Sequence, residues 1–216
     1  MTQPSPKKVM RTMIHVKQPG ALTALTAALL LSGCVSFGPK PPQQLLTLDA
    51  AQKVPAGSPR VAGNGRTLIV ADPDAPKMLD TVRVPVQIAP TSVAYVTKVQ
   101  WADTPRHLFR RLLAETISAT TDRVVLDTGQ FSGDGGQRLS GELVAFHIDE
   151  PSARAVVTYD AVLTTPAGKA LARQRFTASE PVGGKIEAAT VGAPLNAAAN
   201  KVAADVAAWA AAVKAD

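Results

Sequence analysis

The sequence of 216 residues has a single cysteine, three histidines and only 4% aromatic residues. One cysteine excludes an internal disulfide, a thiolate metal cluster and a CxxC redox pair. The shortage of aromatic side chains leaves small aliphatic residues to form the core. A hydrophobic fraction of 46% is nevertheless typical of a globular chain. The composition therefore predicts a folded domain that is held by modest apolar packing and has no disulfides.

Acidic residues are missing from the first 33 positions, which carry Lys7, Lys8, Arg11 and Lys17. The net charge of +6 and the pI near 9.7 would otherwise suggest a nucleic-acid surface. Without these 33 residues the 23 basic residues fall to 19 against 17 acidic ones, a net charge of +2. If the first segment is removed, electrostatics no longer favour nucleic acid as a partner.

The N-terminal apolar run is too short to cross a membrane. Residues 21–31 form an uncharged stretch of eleven residues, whereas a spanning helix needs about 20. A basic region followed by a short apolar run is typical of a secretory signal peptide. We therefore expect residues 1–33 to be a signal peptide.

The residues that end this segment, Leu31, Ser32, Gly33 and Cys34, resemble the lipobox of bacterial lipoproteins. In that motif the cysteine thiol forms a thioether with a diacylglycerol group, the chain is cut before the cysteine, and the new amino group is acylated. Several acyl chains, at about 0.8 kcal/mol per buried CH₂, are enough for stable anchoring. The alternative is a free cysteine behind a simple secretory signal. The resemblance predicts lipidation at Cys34.

The residues after Cys34 indicate which membrane the protein is sent to and how its anchor is connected to the domain. Gram-negative lipoproteins that stay at the inner membrane usually have aspartate after the cysteine, and here Val35 and Ser36 follow. An outer-membrane anchor facing the periplasm is therefore expected. Residues 34–43 are predicted to be the lipidated N-terminus and a tether whose prolines fix φ and remove amide donors. Residues 44–216 form the remaining domain.

Alternation of apolar and polar residues predicts the strands of this domain. Two pairs of runs, 82–89 with 93–100 and 155–163 with 169–178, are joined by turn residues and predict hairpins. The other strand candidates are 44–48, 67–70, 123–128 and 139–148.

Two helices are expected. Thr104 can cap the first and Pro105 suits its first position, and apolar residues recur from Leu108 to Ile117 at helical spacing. The Ala-rich segment 186–215 predicts the second helix, with a regular start at Pro194. Its apolar stripe consists of Leu195, Val202, Val206, Trp209 and Val213.

Packing of that stripe on the domain's own sheet is favoured over a partner helix. The order of elements predicts an α+β fold, a mainly antiparallel or mixed sheet with two helices packed on one face, in a single domain.

Few residues are candidates for catalysis or for binding a metal or cofactor. His107 and His147 stand outside any HExxH spacing, and no GxSxG elbow is present. The glycine-rich loop at 129–137 lacks the Lys-Ser/Thr pair of a phosphate-binding loop. The sequence therefore predicts no catalytic residue, no metal site and no cofactor.

Two charged clusters leave alternatives open. Arg106, Arg110 and Arg111 lie close together on the first helix, as a phosphate groove or, more commonly, as a solvated helix face. Asp72 and Asp74 could bind calcium, although the neighbouring prolines favour a plain turn.

Several motifs recur in the order and spacing of one protein family. They are the lipobox at Cys34, Leu45–Leu48, Met78–Asp80, Val99–Pro105, Leu139–Phe146, Arg175–Ala178, and the Ala-rich helix with Asn196 and Trp209. In these features the chain resembles the ABC-type transport auxiliary lipoproteins. It departs from that family at Leu45 and Leu46, where an aromatic pair is frequent, and at Thr81, where arginine is common.

The resemblance implies a non-enzymatic, outer-membrane-anchored periplasmic lipoprotein that assists an ABC/MCE-type intermembrane lipid transport system. Its implied partners are the membrane, through the lipid on Cys34, an MCE-domain protein, and the ABC permease and ATPase. A ring of identical subunits is compatible with the resemblance. The alternatives are a lipoprotein of outer-membrane assembly or secretion and a periplasmic hydrolase. The family-signature residues, for which a structural role is expected, are Trp101, Pro105, Phe146, Phe176 and Trp209.

Overall fold

The computed structural model of the protein describes residues 44–61, 67–129 and 136–213. The chain divides into two compact units, Met1–Lys40 and Pro41–Asp216, and every described residue belongs to the second. The expected signal peptide, lipobox and tether lie outside the described residues, as does most of the glycine-rich loop.

The secondary structure alternates between strands and helices in the predicted order. The described helices are α1 (Pro105–Thr120) and α2 (Ala188–Ala212). The described strands are β1 (Gln44–Leu46), β2 (Thr67–Val70), β3 (Pro85–Ala89), β4 (Ser92–Tyr95), β5 (Val99–Trp101), β6 (Val124–Asp127), β7 (Gln137–Asp149), β8 (Arg154–Thr164) and β9 (Ala170–Pro181). The predicted α+β class is confirmed.

The main sheet is built around β7. On one side β7 pairs antiparallel with β8, which pairs antiparallel with β9. On the other side the start of β7 lies parallel to β2 and its end lies parallel to β3. β6 extends the sheet beyond β2, and β4 extends it beyond β3. The sheet is therefore mixed, because one strand of 13 residues serves two separate neighbours.

Between β2 and β3, the backbone of Asp74 forms an isolated parallel bridge to β7. Its amide donates to the carbonyl of Gly141 at 2.9 Å, and its carbonyl accepts from the amide of Leu143 at 2.8 Å. Gly141 has φ +147, and a Cβ at this residue would lie 1.8 Å from the backbone oxygen of Asp160. Only glycine allows β8 to approach so closely at this point.

The core lies between the two helices and one face of the sheet. Phe109 of α1 lies edge-on to Phe146 of β7 and to Tyr159 of β8, with ring centroids 6.5 and 5.3 Å apart. The Tyr159 hydroxyl donates to the Ser140 carbonyl at 2.9 Å, and burial raises the pKa of this phenol. The alternate residues of β8 that were predicted to share a face, Val157, Tyr159, Ala161 and Leu163, are all fully buried.

The predicted strand 93–100 is wrong in one respect, because it is two strands. Lys98 has φ +64, a conformation that breaks a strand. β4 ends at Tyr95 and completes the predicted hairpin with β3, whereas β5 pairs parallel with β1 and keeps one bond to the other arm, from the Trp101 amide to the Val82 carbonyl at 2.7 Å.

The first helix begins at Pro105 with Thr104 in the cap position, as predicted, whereas the second begins earlier than expected. The second helix begins at Ala188, so Pro194 lies inside it, and Glu187 with Thr190 forms a capping box ahead of the proline. At the first helix Thr104 occupies the cap position without a side-chain cap bond. The Asp103 carboxylate accepts the Thr104 amide instead, at 2.7 Å.

The close approach at Gly141 gives a stability prediction. Gly141→Ala forces a methyl group into the Asp160 carbonyl, so we expect it to lower the free energy of unfolding by about 3 kcal/mol or more. Gly168→Ala is the matched control, because Gly168 has φ +82 and open space around it, and its cost is about 1 to 2 kcal/mol. Urea unfolding followed by tryptophan fluorescence measures both. Equal losses would contradict the close packing of β7 on β8.

Candidate functional site

The first described residues, 44–54, are called the N-segment here, and they run across the helical layer. β1 pairs in parallel with β5, with Gln44 opposite Val99. The Leu46 side chain is buried against α2 at Gly192, where an added Cβ would lie 2.8 Å from Leu46 Cδ2. The small residue in α2 therefore makes room for the N-segment.

Two asparagines of α2, Asn196 and Asn200, hold the backbone of the N-segment and are called the asparagine clasp. Asn196 Oδ1 accepts the Asp49 amide at 2.9 Å, and Asn200 Oδ1 accepts the Ala51 amide at 2.7 Å. Asn200 Nδ2 donates to the Asp49 carbonyl at 2.9 Å. Residues four apart share a helix face, so both amides point to the same segment.

A third contact joins the N-segment to the other helix. The Val54 amide donates to Glu115 Oε1 of α1 at 2.7 Å. Backbone groups that belong to no strand thereby obtain partners from side chains. The segment that follows the expected tether is consequently attached to α1 and α2 as well as to β5.

Two arginines of α1, Arg106 and Arg110, are already paired with carboxylates. Arg110 Nε lies 3.0 Å from Asp72 Oδ1, and Arg110 also contacts Asp127 at 2.9 Å. Arg106 lies 3.4 Å from Asp80. These ion pairs favour a solvated helix face over a phosphate groove. They also occupy Asp72, and the described residues contain no group of three or more side chains that could hold a metal ion.

His107 lies between two carboxylates. Its Nδ1 is 3.1 Å from Asp103, and its Nε2 is 3.8 Å from Asp72. Burial raises the pKa of Asp103, but the hydrogen bonds from His107 and from the Thr104 amide outweigh burial and hold that pKa below its ordinary value. Among the described residues the hydrogen-bonding partner of the His107 ring is the Asp103 carboxylate.

His147 lies on β7 and Asp160 lies on β8, and the surroundings of each side chain determine its charge. Burial lowers the pKa of His147 on β7, which favours the neutral ring. Asp160 of β8 accepts two bonds from Arg175, at 2.5 and 2.7 Å, and one from Arg173 at 3.2 Å. The bonds from Arg175 contribute most to lowering the pKa of Asp160. This carboxylate is therefore charged and fully engaged.

Four of the five family-signature residues are buried, and the fifth, Trp209, is partly buried against the core. Trp101 is 2% exposed and lies edge-on to Phe146, with centroids 5.3 Å apart. Pro105 is buried at the start of α1. Phe176 of β9 lies edge-on to Trp209 of α2 at 5.6 Å, so this pair joins the second helix to the edge of the sheet. The predicted lipidation residue Cys34 and the lipobox residues Leu31, Ser32 and Gly33 lie outside the described residues.

The asparagine clasp was missed by sequence reasoning, which quoted Asn196 only as part of a motif. Two asparagines four positions apart in an Ala-rich helix are a detectable signal, because asparagine is a poor helix former. Their partners, Asp49 and Ala51, lie about 150 positions away and could not be identified from local patterns.

No helix in the described ranges is both long and apolar enough to span a bilayer.

Comparison with known proteins identifies related sequences and folds. A family model described as the ABC-type transport auxiliary lipoprotein component matches residues 46–207. A crystal structure of a Xanthomonas campestris protein assigned to the family DUF330 has a TM-score of 0.61 and 19% identity, covering 79% of this chain and 92% of the other. A second structure, of an uncharacterized protein, has a TM-score of 0.59 and 15% identity, covering 79% and 97%. No curated protein matches the chain.

The asparagine clasp gives a local prediction. Asn196→Ala with Asn200→Ala removes the acceptors for the Asp49 and Ala51 amides, so hydrogen exchange at these two amides should speed up by roughly tenfold. Asp205→Ala, on an exposed position of the same helix, is the control and should leave both rates unchanged. Unaltered exchange in the double variant would show that the asparagines do not hold the N-segment.

Proposed function

The chain belongs to the family of ABC-type transport auxiliary lipoprotein components, and from this membership we propose that it serves an ABC/MCE-type intermembrane lipid transport system as a non-enzymatic lipoprotein. In this proposal the lipid on Cys34 anchors it in the outer membrane, with residues 44–216 in the periplasm after removal of residues 1–33. Its partners are an MCE-domain protein and the ABC permease and ATPase of the same system.

Family membership carries this proposal, and the attachment of the N-segment supports its anchoring part. Ten residues, 34–43, separate the expected anchor from β1, and a fully extended chain of that length reaches at most about 35 Å. The domain would therefore remain close to the membrane surface. The N-segment is bonded to α1, α2 and β5. A force applied at the lipid anchor would therefore be transmitted to both helices and to β5.

The state of the polar residues supports a role without catalysis. Arg106, Arg110 and Asp160 are engaged in ion pairs. His107 faces carboxylates on both sides. In these ion pairs the charges of Arg106, Arg110 and Asp160 are already neutralised by protein partners. An auxiliary component that positions other subunits requires no more than this.

The anchor is tested by Cys34→Ala. Without the thiol no thioether can form, so the variant should leave the membrane fraction and incorporate no labelled fatty acid. Fractionation of envelopes after a high-salt wash, with wild-type protein alongside, measures this. Membrane retention of the variant, together with unlabelled wild-type protein, would contradict lipid anchoring.

The absence of catalysis is tested by His107→Gln. Glutamine keeps hydrogen bonding at this position but cannot transfer protons at neutral pH. We expect the variant to support outer-membrane integrity, measured as detergent resistance of cells, as well as wild type does. Cys34→Ala in the same cells should lose that support. If a folded, membrane-bound His107→Gln protein is inactive, a catalytic role for the histidine replaces the proposal.

A further inference from the structure

A groove of about 490 Å³ lies between the β3–β4 hairpin and the start of α2. Its volume is in the range of ligand-binding clefts. Apolar side chains from both elements line it, among them Val86, Ile88, Val96 and Ile186. The described residues expose four large apolar side chains, and two of them, Ile88 at 41% and Val93 at 39%, belong to this hairpin. The hairpin therefore presents uncovered apolar surface beside a cavity that the proposed transport role does not use.

β4 is an edge strand of the main sheet, and its outer backbone groups border this groove. It pairs antiparallel with β3 and has no second strand neighbour among the described residues. The Val96 amide donates to the Val84 carbonyl at 3.0 Å, and bonded and non-bonded residue pairs alternate along an antiparallel ladder. The amides and carbonyls of Tyr95 and Val93 therefore point away from β3. Tyr95 also lines the groove, so the free edge and the apolar cavity adjoin each other.

β4 lacks the features that usually protect an edge strand from pairing with another chain. Edge strands commonly carry charged residues or proline for this purpose. The edge strand β9 contains Arg173, Arg175 and Pro181, and the edge strand β6 ends in Asp127. The four residues of β4 include neither a charge nor a proline. Of the edges that the structure describes in the main sheet, β4 is the least protected.

The charges beside β4 favour an acidic partner. Lys98 and Lys185 line the groove, and Arg83 lies next to β4, with its guanidinium 3.6 Å from an aromatic ring centroid of that strand. None of these three cations forms an ion pair with a described residue. The carboxylates of the groove are Glu150 and Glu187, and Glu187 is engaged in the capping box of α2. The excess of positive charge would attract an anionic segment.

We propose that β4 receives an extended acidic peptide segment of a partner protein as an additional strand, with its alternate apolar side chains in the groove. The added backbone would bond to the outer amides and carbonyls of Val93 and Tyr95, the recognition mode called β-augmentation. Successive side chains of a strand point to opposite faces, so every second residue would enter the groove beside Ile88. Acidic side chains elsewhere in the segment would pair with Arg83 and with the two lysines.

Two other occupants fit the observations less well. An acyl chain could fill the apolar groove, but it has no donors or acceptors for the outer backbone groups of β4. A second copy of this chain would bring the same excess of positive charge to the edge, and like charges oppose association. An acidic strand uses the edge, the apolar groove and the cations together.

Selection from a library of short random peptides displayed on phage tests the proposal. The bait is the protein as purified from cell envelopes, and a surface without bait is the control. We expect enriched sequences with apolar residues at every second position and with Asp or Glu among or beside them. If no sequence is enriched over the control, or if the enriched sequences are basic or have helical spacing, the proposal is overturned.

Backbone pairing is tested with N-methylated forms of an enriched peptide. The amides of a strand point alternately to its two sides, so methylation of one alternate set removes the bonds to β4 and methylation of the other set does not. Binding measured by fluorescence anisotropy should weaken roughly tenfold for one set and less than about twofold for the other. Equal effects of the two sets would rule out strand addition.

The role of the lysines is tested by the double variant Lys98→Glu and Lys185→Glu. Reversal of both charges should weaken binding of the same peptide roughly tenfold. The matched control is Lys77→Glu with Lys169→Glu, two exposed lysines outside the groove, and it should bind as wild type does. Equal affinities of the two double variants would contradict recognition of an acidic segment by this groove.

Hydrogen exchange locates the bound peptide on the protein. Saturating peptide should slow exchange at the Val93 and Tyr95 amides by roughly tenfold. The Thr177 amide, which points outward from the edge strand β9 in the same way, is the control and should be unaffected. Protection at other strands without protection of β4 would place the peptide elsewhere and overturn the proposal.

The same exchange measurement identifies the other two occupants. Protection of the β4 amides that rises with protein concentration in the absence of peptide would assign the edge to a second copy of the chain. Protection by lysophosphatidylglycerol and not by peptide would assign the groove to an amphiphile. Either result overturns the proposal. None of these readouts involves membrane retention or a transport subunit, so a negative result leaves the proposed function intact.

Discussion

Burial of Phe109 between Phe146 and Tyr159 is the contact on which the rest of the domain depends. These three rings join α1 to the two longest inner strands, β7 and β8. All three side chains are fully buried, and removing a buried phenylalanine typically costs 3 to 5 kcal/mol, on the order of half of a domain's stability. Once α1 is fixed on the sheet, α2 can pack beside it, and the surface that receives the N-segment exists.

The same aromatic cluster determines where the chain enters the domain. Trp101 packs against Phe146 and thereby holds β5 at the edge of the core. β5 in turn provides the only strand to which β1 is paired among the described residues. The far end of α2 is held by Arg123, which donates to Gln137 and to the Ala210 carbonyl at 2.6 and 2.8 Å. The entry point and both helices are therefore fixed to one another.

Local patterns were sufficient for most of the fold. The spacing from Leu108 to Ile117 predicted α1, and alternation with turn residues predicted both hairpins, because these features depend on neighbouring residues. Patterns failed where a distant or unusual contact decides the structure. The break at Lys98 requires a positive φ that no pattern near it indicates. The asparagine clasp joins residues 147 and 149 positions apart. Along β7, the isolated bridge between Asp74 and Glu142 lies between the part that pairs with β2 and the part that pairs with β3. No local pattern indicates this contact.

The structure thus describes a domain whose beginning is bonded to its helices and whose Arg106, Arg110 and Asp160 side chains form ion pairs, in a family defined by assistance to ABC transport. Affinity capture of the lipidated protein from chemically crosslinked cell envelopes tests the central claim most directly. Co-recovery of an MCE-domain protein together with an ABC permease or ATPase is the predicted result. Recovery of outer-membrane assembly or secretion proteins, with no MCE-domain protein and no ABC subunit, would contradict it.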